Sequence, residues 1–191
     1  MSTRALPFLT PEQYLEIERA AEVRSEYIAG EIFAMSGGSL NHARISANAL
    51  RRMMEQLDRK PCEAAGADMK IFCARASMFT YPDVVVICGP PKFLDQRHDV
   101  ITDATAIVEV LSPSTRNYDR SEKFRYYRSL ESFSEYLLLE QDEMRAEHHV
   151  RQPDGSWLFR EITDPAAEIA MDPIGCRLRL ESLYERVEFE S

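Results

Sequence analysis

Ala104-Thr105-Ala106-Ile107-Val108-Glu109-Val110-Leu111 is an apolar run of strand length with an ionisable carboxylate near its centre. Short runs of Val, Ile and Leu bounded by turn residues read as strands buried on both faces. A second such run, Tyr81-Pro82-Asp83-Val84-Val85-Val86-Ile87-Cys88, opens with an aspartate and is closed by Gly89-Pro90-Pro91. Leaving a buried carboxylate unpaired costs several kcal/mol, a large share of a domain's stability. A chain that sets one inside a strand therefore supplies it with a proton, a cation or a metal ion. Downstream of Glu109, the segment Ser112-Pro113-Ser114-Thr115 leads to Asp119 and Lys123, and that lysine is the nearest candidate cation.

Outward from these two strands the elements alternate. Thr10-Pro11-Glu12-Gln13 predicts a helix start, with an N-cap, Pro at the first helical position and Gln closing a capping box; the helix runs to about Ala20. Ala29-Gly30 reads as a two-residue hairpin turn between Glu26-Tyr27-Ile28 and Glu31-Ile32-Phe33-Ala34-Met35. In that register Ile28 faces Glu31 and Glu26 faces Phe33, so both glutamates project from one face. Gly37-Gly38 breaks the strand, and Ser39 caps a helix to about Arg59 with Ile45, Ala49 and Met53 as its apolar stripe and His42 on the same side. Short strands follow near Cys62–Ala64 and Ala67–Phe72, and residues 92–103 read as a loop. After the Glu109 strand comes a helix through Lys123 to about Leu130, on which Arg120, Lys123 and Tyr127 share a face at i−3 and i+4. Strands at 133–139, 144–150, 157–162 and 176–180 complete the chain, with Pro153-Asp154-Gly155 turning between two of them. The expectation is one α/β domain over residues 1–191.

Composition sets limits on function. With 191 residues, 45% hydrophobic and 29% charged, the chain can bury a full core without staples. The net charge of −9 argues against tight binding of DNA through a broad basic face, so any contact with nucleic acid must be local or come from a minority face. Lysine is scarce: Lys60, Lys70, Lys92 and Lys123 are the only ones. No apolar run is long enough to cross a membrane, Met1 to Phe8 lack a signal pattern, and scattered Cys62, Cys73, Cys88 and Cys176 read as reduced thiols. Those features together predict a cytoplasmic protein.

Mg²⁺ and Mn²⁺ take hard oxygen ligands, commonly one or two carboxylates with waters and a substrate phosphate. Asp83 at a strand start and Glu109 within a neighbouring strand can converge on such an ion. An aspartate after proline also serves as turn chemistry, whereas a mid-strand glutamate has few structural roles besides an ion pair with a buried arginine. Lys123 can orient an attacking water or stand as a solvated helix lysine. His42 reads as a core histidine, a general base or an orienting partner. Glu26 and Glu31 offer a further carboxylate or sit on the hairpin surface. His148 and His149, on alternate faces of one strand, and Trp157 read as structural.

The residues Arg24-x-Glu26, Gly30-Glu31-Ile32, His42, Tyr81-Pro82-Asp83, Val108-Glu109-Val110-Leu111-Ser112-Pro113-Ser114-Thr115, Asp119, Lys123 and Glu135-Tyr136 resemble the Uma family of restriction endonucleases in the PD-(D/E)XK nuclease superfamily. The resemblance covers nearly the whole chain and is most specific at the Glu-Val-Leu-Ser-Pro-Ser-Thr run. It implies a restriction-endonuclease-like fold, a mixed central β-sheet flanked by helices with additional C-terminal strands. It also implies a DNA endonuclease that hydrolyses phosphodiesters with Mg²⁺ or Mn²⁺, held by Asp83 and Glu109 with Glu26 or Glu31, while Lys123 and His42 complete the catalytic set. Leu111 stands where the superfamily's Glu-x-Lys pattern has lysine, so Lys123 on the following helix would supply the ammonium. Cleavage of both strands would favour a homodimer. Two other readings remain: a nuclease fold that binds without cutting, and a metal-independent hydrolase using Glu109 and Asp83 as an acid/base pair.

Overall fold

In a computed structural model, described for residues 8–35 and 37–189, there are two mixed sheets, and the larger contains both predicted carboxylate strands. The first six residues of the stretch read for a signal lie outside the described residues, as does Pro7. The larger sheet has the order β11-β10-β9-β8-β6-β3, from Trp157–Ile162, Ala146–Arg151, Glu135–Glu140, Ala106–Leu111, Val84–Cys88 and Cys62–Gly66. Its only parallel pair is β8 with β9, Glu109 standing opposite Leu138. Both strands are buried along their whole length, as their apolar runs require. The second sheet has the order β2-β1-β5-β4-β7, from Glu31–Ala34, Ser25–Ile28, Met78–Thr80, Lys70–Cys73 and Val100–Ile101. A small hairpin pairs β12, Glu168–Met171, with β13, Cys176–Arg179.

Side-chain alternation along β8 sorts its residues between two cores. Ala106, Val108 and Val110 join the core under α2, Leu40–Leu57, together with Ile45, Ala49, Met53 and the β12–β13 hairpin. Ile107 and Leu111 face the other way, packing with Phe124, Tyr127, Phe133 and Tyr136. Glu109 shares that second face by the period of two. A third cluster seats α1, Pro11–Ala20, on the five-stranded sheet through Tyr14, Tyr27 and Phe79. Thr10 caps α1 with the predicted capping box, and Ser39 caps α2.

The hairpin register is the one expected, Ile28 opposite Glu31 and Glu26 opposite Phe33. Ala29 and Gly30 both have positive φ, 47° and 106°, the conformation a tight two-residue turn demands. Tyr27 points into the aromatic cluster, so Glu26 and Ile28 point to the opposite face.

Several expectations change. The hairpin belongs to a second sheet with β5 and β7, three-residue and two-residue strands too short to carry a pattern of their own. β12 likewise lacks a sequence signal. The helix after Glu109 is not uniform: α3, Arg116–Tyr118, and α4, Phe124–Tyr127, are joined by a π turn over Asp119–Lys123. The wider i→i+5 turn adds a residue and rotates Arg120 away from Lys123. Arg120 pairs with Glu140 and Glu147 instead, so the predicted common face of Arg120, Lys123 and Tyr127 does not form. Cys62 and Cys88, expected as free thiols, are directly opposed on β3 and β6 and joined by a disulfide, while Cys73 and Cys176 are free and buried. Spacing along the chain does not reveal a partner across an antiparallel pair. Among the described residues no helix is long and apolar enough to cross a membrane.

Phe79 is fully buried against Phe72, Tyr14 and Tyr27, with centroid separations of 4.2, 5.1 and 5.9 Å. Phe79→Ala is expected to cost about 3–5 kcal/mol in urea unfolding. Phe159→Ala, at a side chain 51% exposed on β11, should cost within about 0.5 kcal/mol. Equal losses would contradict the packing described.

Candidate active site

Four elements aim their side chains at one buried point. β8 brings Glu109, the start of β6 brings Asp83, β1 brings Glu26, and the π turn brings Asp119 and Lys123. The Lys123 Nζ lies 2.9 Å from Glu109 Oε1, 3.4 Å from Glu26 Oε1 and 3.5 Å from Asp119 Oδ1. Tyr127 donates its hydroxyl to the same Glu109 Oε1 at 2.8 Å, and Thr80 donates to Glu26. Asp83 Oδ2 accepts from the Val110 backbone N–H at 2.8 Å and lies 3.4 Å from His42 Nε2. The Asp83 N–H points to Glu109 Oε2 at 3.4 Å. Glu109, Asp119 and Lys123 are each no more than 6% exposed. They form the floor of a cleft of about 870 Å³ walled by Phe8, Ile28, Phe33, Ser112, Thr115 and Tyr118.

The electrostatics follow from burial and from an excess of negative charge. Burial pushes the Glu109 carboxyl up to about 8 against the pull of Lys123, with Asp83 and Asp119 adding to the rise. Asp119 is raised for the same first reason, again opposed by Lys123. Burial works against the Lys123 ammonium, yet Glu109, Glu26, Tyr127 and Asp119 outweigh it and hold its pKa well above that of an ordinary lysine. His42 likewise loses to burial but gains more from Asp83, Glu109 and Asp119, so its pKa is raised.

Each sequence candidate has a definite place. Asp83, Glu109, Lys123, Glu26 and His42 converge. Glu31 lines the outer part of the cleft, exposed to solvent, and is not among the groups that meet Lys123. Lys70 lies apart, over the rings of Tyr14 and Tyr81 at 5.5 and 5.2 Å. His148 stands 3.6 Å from Glu135, and His149 packs on Phe124 and Tyr136. Reading by element missed the contributions of Asp119, Tyr127 and Thr80. The spacing Asp119, Lys123, Tyr127, four residues apart each time, is the signal that could have found two of them. Gly38 was read only as a strand breaker; a Cβ there would lie 3.0 Å from His42 Nδ1, so glycine leaves room for the imidazole.

The donor set suits a hard divalent cation. Glu26, Asp83, Glu109 and Asp119 outnumber the one ammonium and one imidazole beside them, and a two-carboxylate site completed by water is the usual arrangement for Mg²⁺. Glu109 Oε1 and Asp83 Oδ2 are engaged by close protein donors and Glu109 Oε2 by only the long 3.4 Å contact from the Asp83 N–H, so Glu109 Oε2 and Asp83 Oδ1 are the oxygens freest to meet an ion. Among the described residues no group of three or more His, Cys, Asp or Glu side chains is arranged to hold a metal ion, so an ion here would rest on two carboxylates and water.

Comparison with known proteins agrees with the fold. The Uma2 family, described as "Putative restriction endonuclease", matches residues 11–181. Two relatives from Synechocystis sp. (strain ATCC 27184 / PCC 6803 / Kazusa) are similar along most of their length. "Uncharacterized protein sll1609" is 37% identical over 84% of this chain and 91% of its own. "Uncharacterized protein slr1290" is 34% identical over 96% and 95%. A crystal structure from Anabaena variabilis ATCC 29413, titled as "a putative nuclease belonging to DUF820", superposes with a TM-score of 0.76 at 15% identity. It covers 94% of this chain and 99% of that one, and it shows the same fold.

A carboxyl raised on folding binds a proton that the unfolded chain releases at lower pH. Its contribution to stability is complete below the ordinary value of 4.5 and is lost as pH rises through about 8. In EDTA, the urea stability of the parent is therefore expected to fall more steeply between pH 5 and pH 8 than that of Glu109→Gln. Parallel pH profiles for the two proteins would contradict the assignment.

Proposed function

The chain belongs to the Uma2 family, and on that footing we propose that it is a divalent-metal-dependent DNA endonuclease acting through Asp83, Glu109 and Lys123. The observation that supports this most is the buried contact of Lys123 with Glu109 at 2.9 Å inside a cluster that still holds excess carboxylate. Phosphodiester hydrolysis requires a positioned nucleophile and fixed positive charge where the phosphoryl oxygens gain negative charge. Asp83 and Glu109 would hold Mg²⁺ or Mn²⁺, which supplies Lewis-acid polarisation and a more acidic water.

The chain's own groups do the rest. Tyr127 and Lys123 fix Oε1 of Glu109, so the carboxylate cannot rotate and Oε2 is presented toward Asp83. Lys123 remains charged because its carboxylate neighbours hold its proton, and at the cleft floor it orients the attacking water and offsets charge on the phosphate. His42, retained as imidazolium to higher pH by Asp83, steadies that aspartate from α2. Glu26, anchored by Thr80, keeps a second carboxylate beside Lys123. Both strands of a duplex are cut when two copies act together, which makes a homodimer the working assembly in this reading.

Plasmid nicking with Mg²⁺ and with Mn²⁺ tests the proposal. Asp83→Asn and Glu109→Gln are each expected to abolish divalent-dependent nicking with unchanged circular dichroism. Lys123→Ala should lower the single-turnover rate about 100-fold or more while calorimetric Mn²⁺ affinity changes little. Nicking by Asp83→Asn, or by the parent in EDTA, would overturn the metal-dependent reading, and a parent that binds DNA without nicking it would favour a binding module.

A further inference from the structure

Far from the acidic cleft, three arginines converge on one hollow. Arg125 reaches it from α4, Arg128 from the C-cap of that helix and Arg151 from the end of β10, while Ser129, Gly155 and Trp157 complete the wall of a volume of about 320 Å³. No carboxylate lines it. Among the described residues Arg128 and Arg151 make no ion pair: Arg128 lies over the Phe124 ring at 5.0 Å, and Arg151 donates to the Glu131 carbonyl at 2.9 Å. Arg125 has only Glu122 at 3.9 Å. In a chain of net charge −9, with 32 acidic and 23 basic side chains, this is a local reversal of sign. Cations near a helix C-terminus are favoured by the helix dipole, which accounts for Arg128. It does not account for Arg151, which comes from a different sheet element. Guanidinium groups are planar forks that match phosphate oxygens, and like charges held together are relieved by an anion between them.

We propose that this hollow anchors the phosphodiester backbone of nucleic acid flanking the segment held in the cleft. The inference rests on the nuclease reading of the Glu109 cluster. Position supports it. Glu135 on β9 stands opposite Ala106 of β8 and Val150 of β10, and Trp157 of β11 stands opposite Arg151, the next residue along. Trp157 is therefore four residues from the Glu109 row and three strands across, roughly 20 Å away by the usual strand rise and spacing. That distance is about six base pairs of a duplex at 3.4 Å each. A strand whose scissile phosphate meets Lys123 thus carries further phosphates to this range. Trp157, edge-on to Phe124 with centroids 5.0 Å apart, is the indole wall of the site.

Trp157 is the only tryptophan in the chain, so tryptophan-selective fluorescence reports from the wall of this hollow. The test titrates the full chain with a 20-base-pair duplex in EDTA at low salt, reading that fluorescence. A saturable change is expected, weakened about tenfold or more in the Arg128→Gln/Arg151→Gln double variant. The slope of log affinity against log salt should fall by about one for each arginine removed. Arg128→Gln alone, at an exposed side chain, gives a second reading with an unchanged melting temperature. A duplex that leaves the fluorescence unmoved, variants that bind as tightly as the parent, or an equal response to inorganic phosphate at the same concentration would each overturn the proposal. The nicking assay separates the two readings: binding without nicking retains this subsite and removes the nuclease, whereas nicking with undiminished affinity in the double variant does the reverse.

Discussion

The ammonium of Lys123 rests 2.9 Å from Glu109 with less than a tenth of either residue exposed, and the elements around the cleft keep both groups partnered. A lone charge in that position would cost several kcal/mol, roughly the stability of a small domain. Tyr127 completes the Glu109 shell, Glu26 and Asp119 complete that of Lys123, and Thr80 fixes Glu26. Because these partners come from both sheets and from the π turn, the cluster ties the hairpin, the carboxylate strands and the helical segment into one arrangement. The pairing is still incomplete in charge. Four carboxylates face one ammonium and one imidazole, and burial, with Asp83 and Asp119 adding to it, raises the Glu109 carboxyl to about 8 against the pull of Lys123; a divalent cation would offset that excess of negative charge.

The same balance explains the division of the surface. An acidic floor repels a polyanion unless a cation intervenes, so a nucleic acid approaching this chain needs anchors elsewhere. The arginine hollow at Trp157 is one place where the sign reverses. The cleft's wall at Phe8, Ile28 and Phe33 is apolar.

Much of this was legible in the residues. The apolar runs around Asp83 and Glu109 identified two central strands, and Ala29-Gly30 set a register that placed Glu26 on the cleft side. Ser39 and the stripe at Ile45, Ala49 and Met53 located α2 and turned His42 inward. What stayed hidden was long-range or too short to have a period. β5 and β7 have three and two residues, and nothing in them announces a second sheet. The π turn inserts one residue into a segment that still reads as regular helix, so Arg120 was assigned to the wrong face. The Cys62–Cys88 disulfide depends on pairing across β3 and β6, which spacing along the chain does not encode. Glu26 and Glu31 looked equivalent in the hairpin, and only the packing of β1 against β5 brings the first to Lys123 while the second lies at the exposed edge.

On the proposed function, the carboxylate excess around Glu109 and Asp83 would take a divalent cation. The most direct measurement is the melting temperature of the parent and of Asp83→Asn in EDTA and in millimolar Mn²⁺ at neutral pH. A cation that binds only the folded chain raises its stability in proportion to its affinity. The account predicts a clear upward shift for the parent. Asp83→Asn should melt higher than the parent in EDTA, because like charges are relieved, and should shift less with Mn²⁺. A parent melting temperature that does not move with millimolar Mn²⁺ would contradict it.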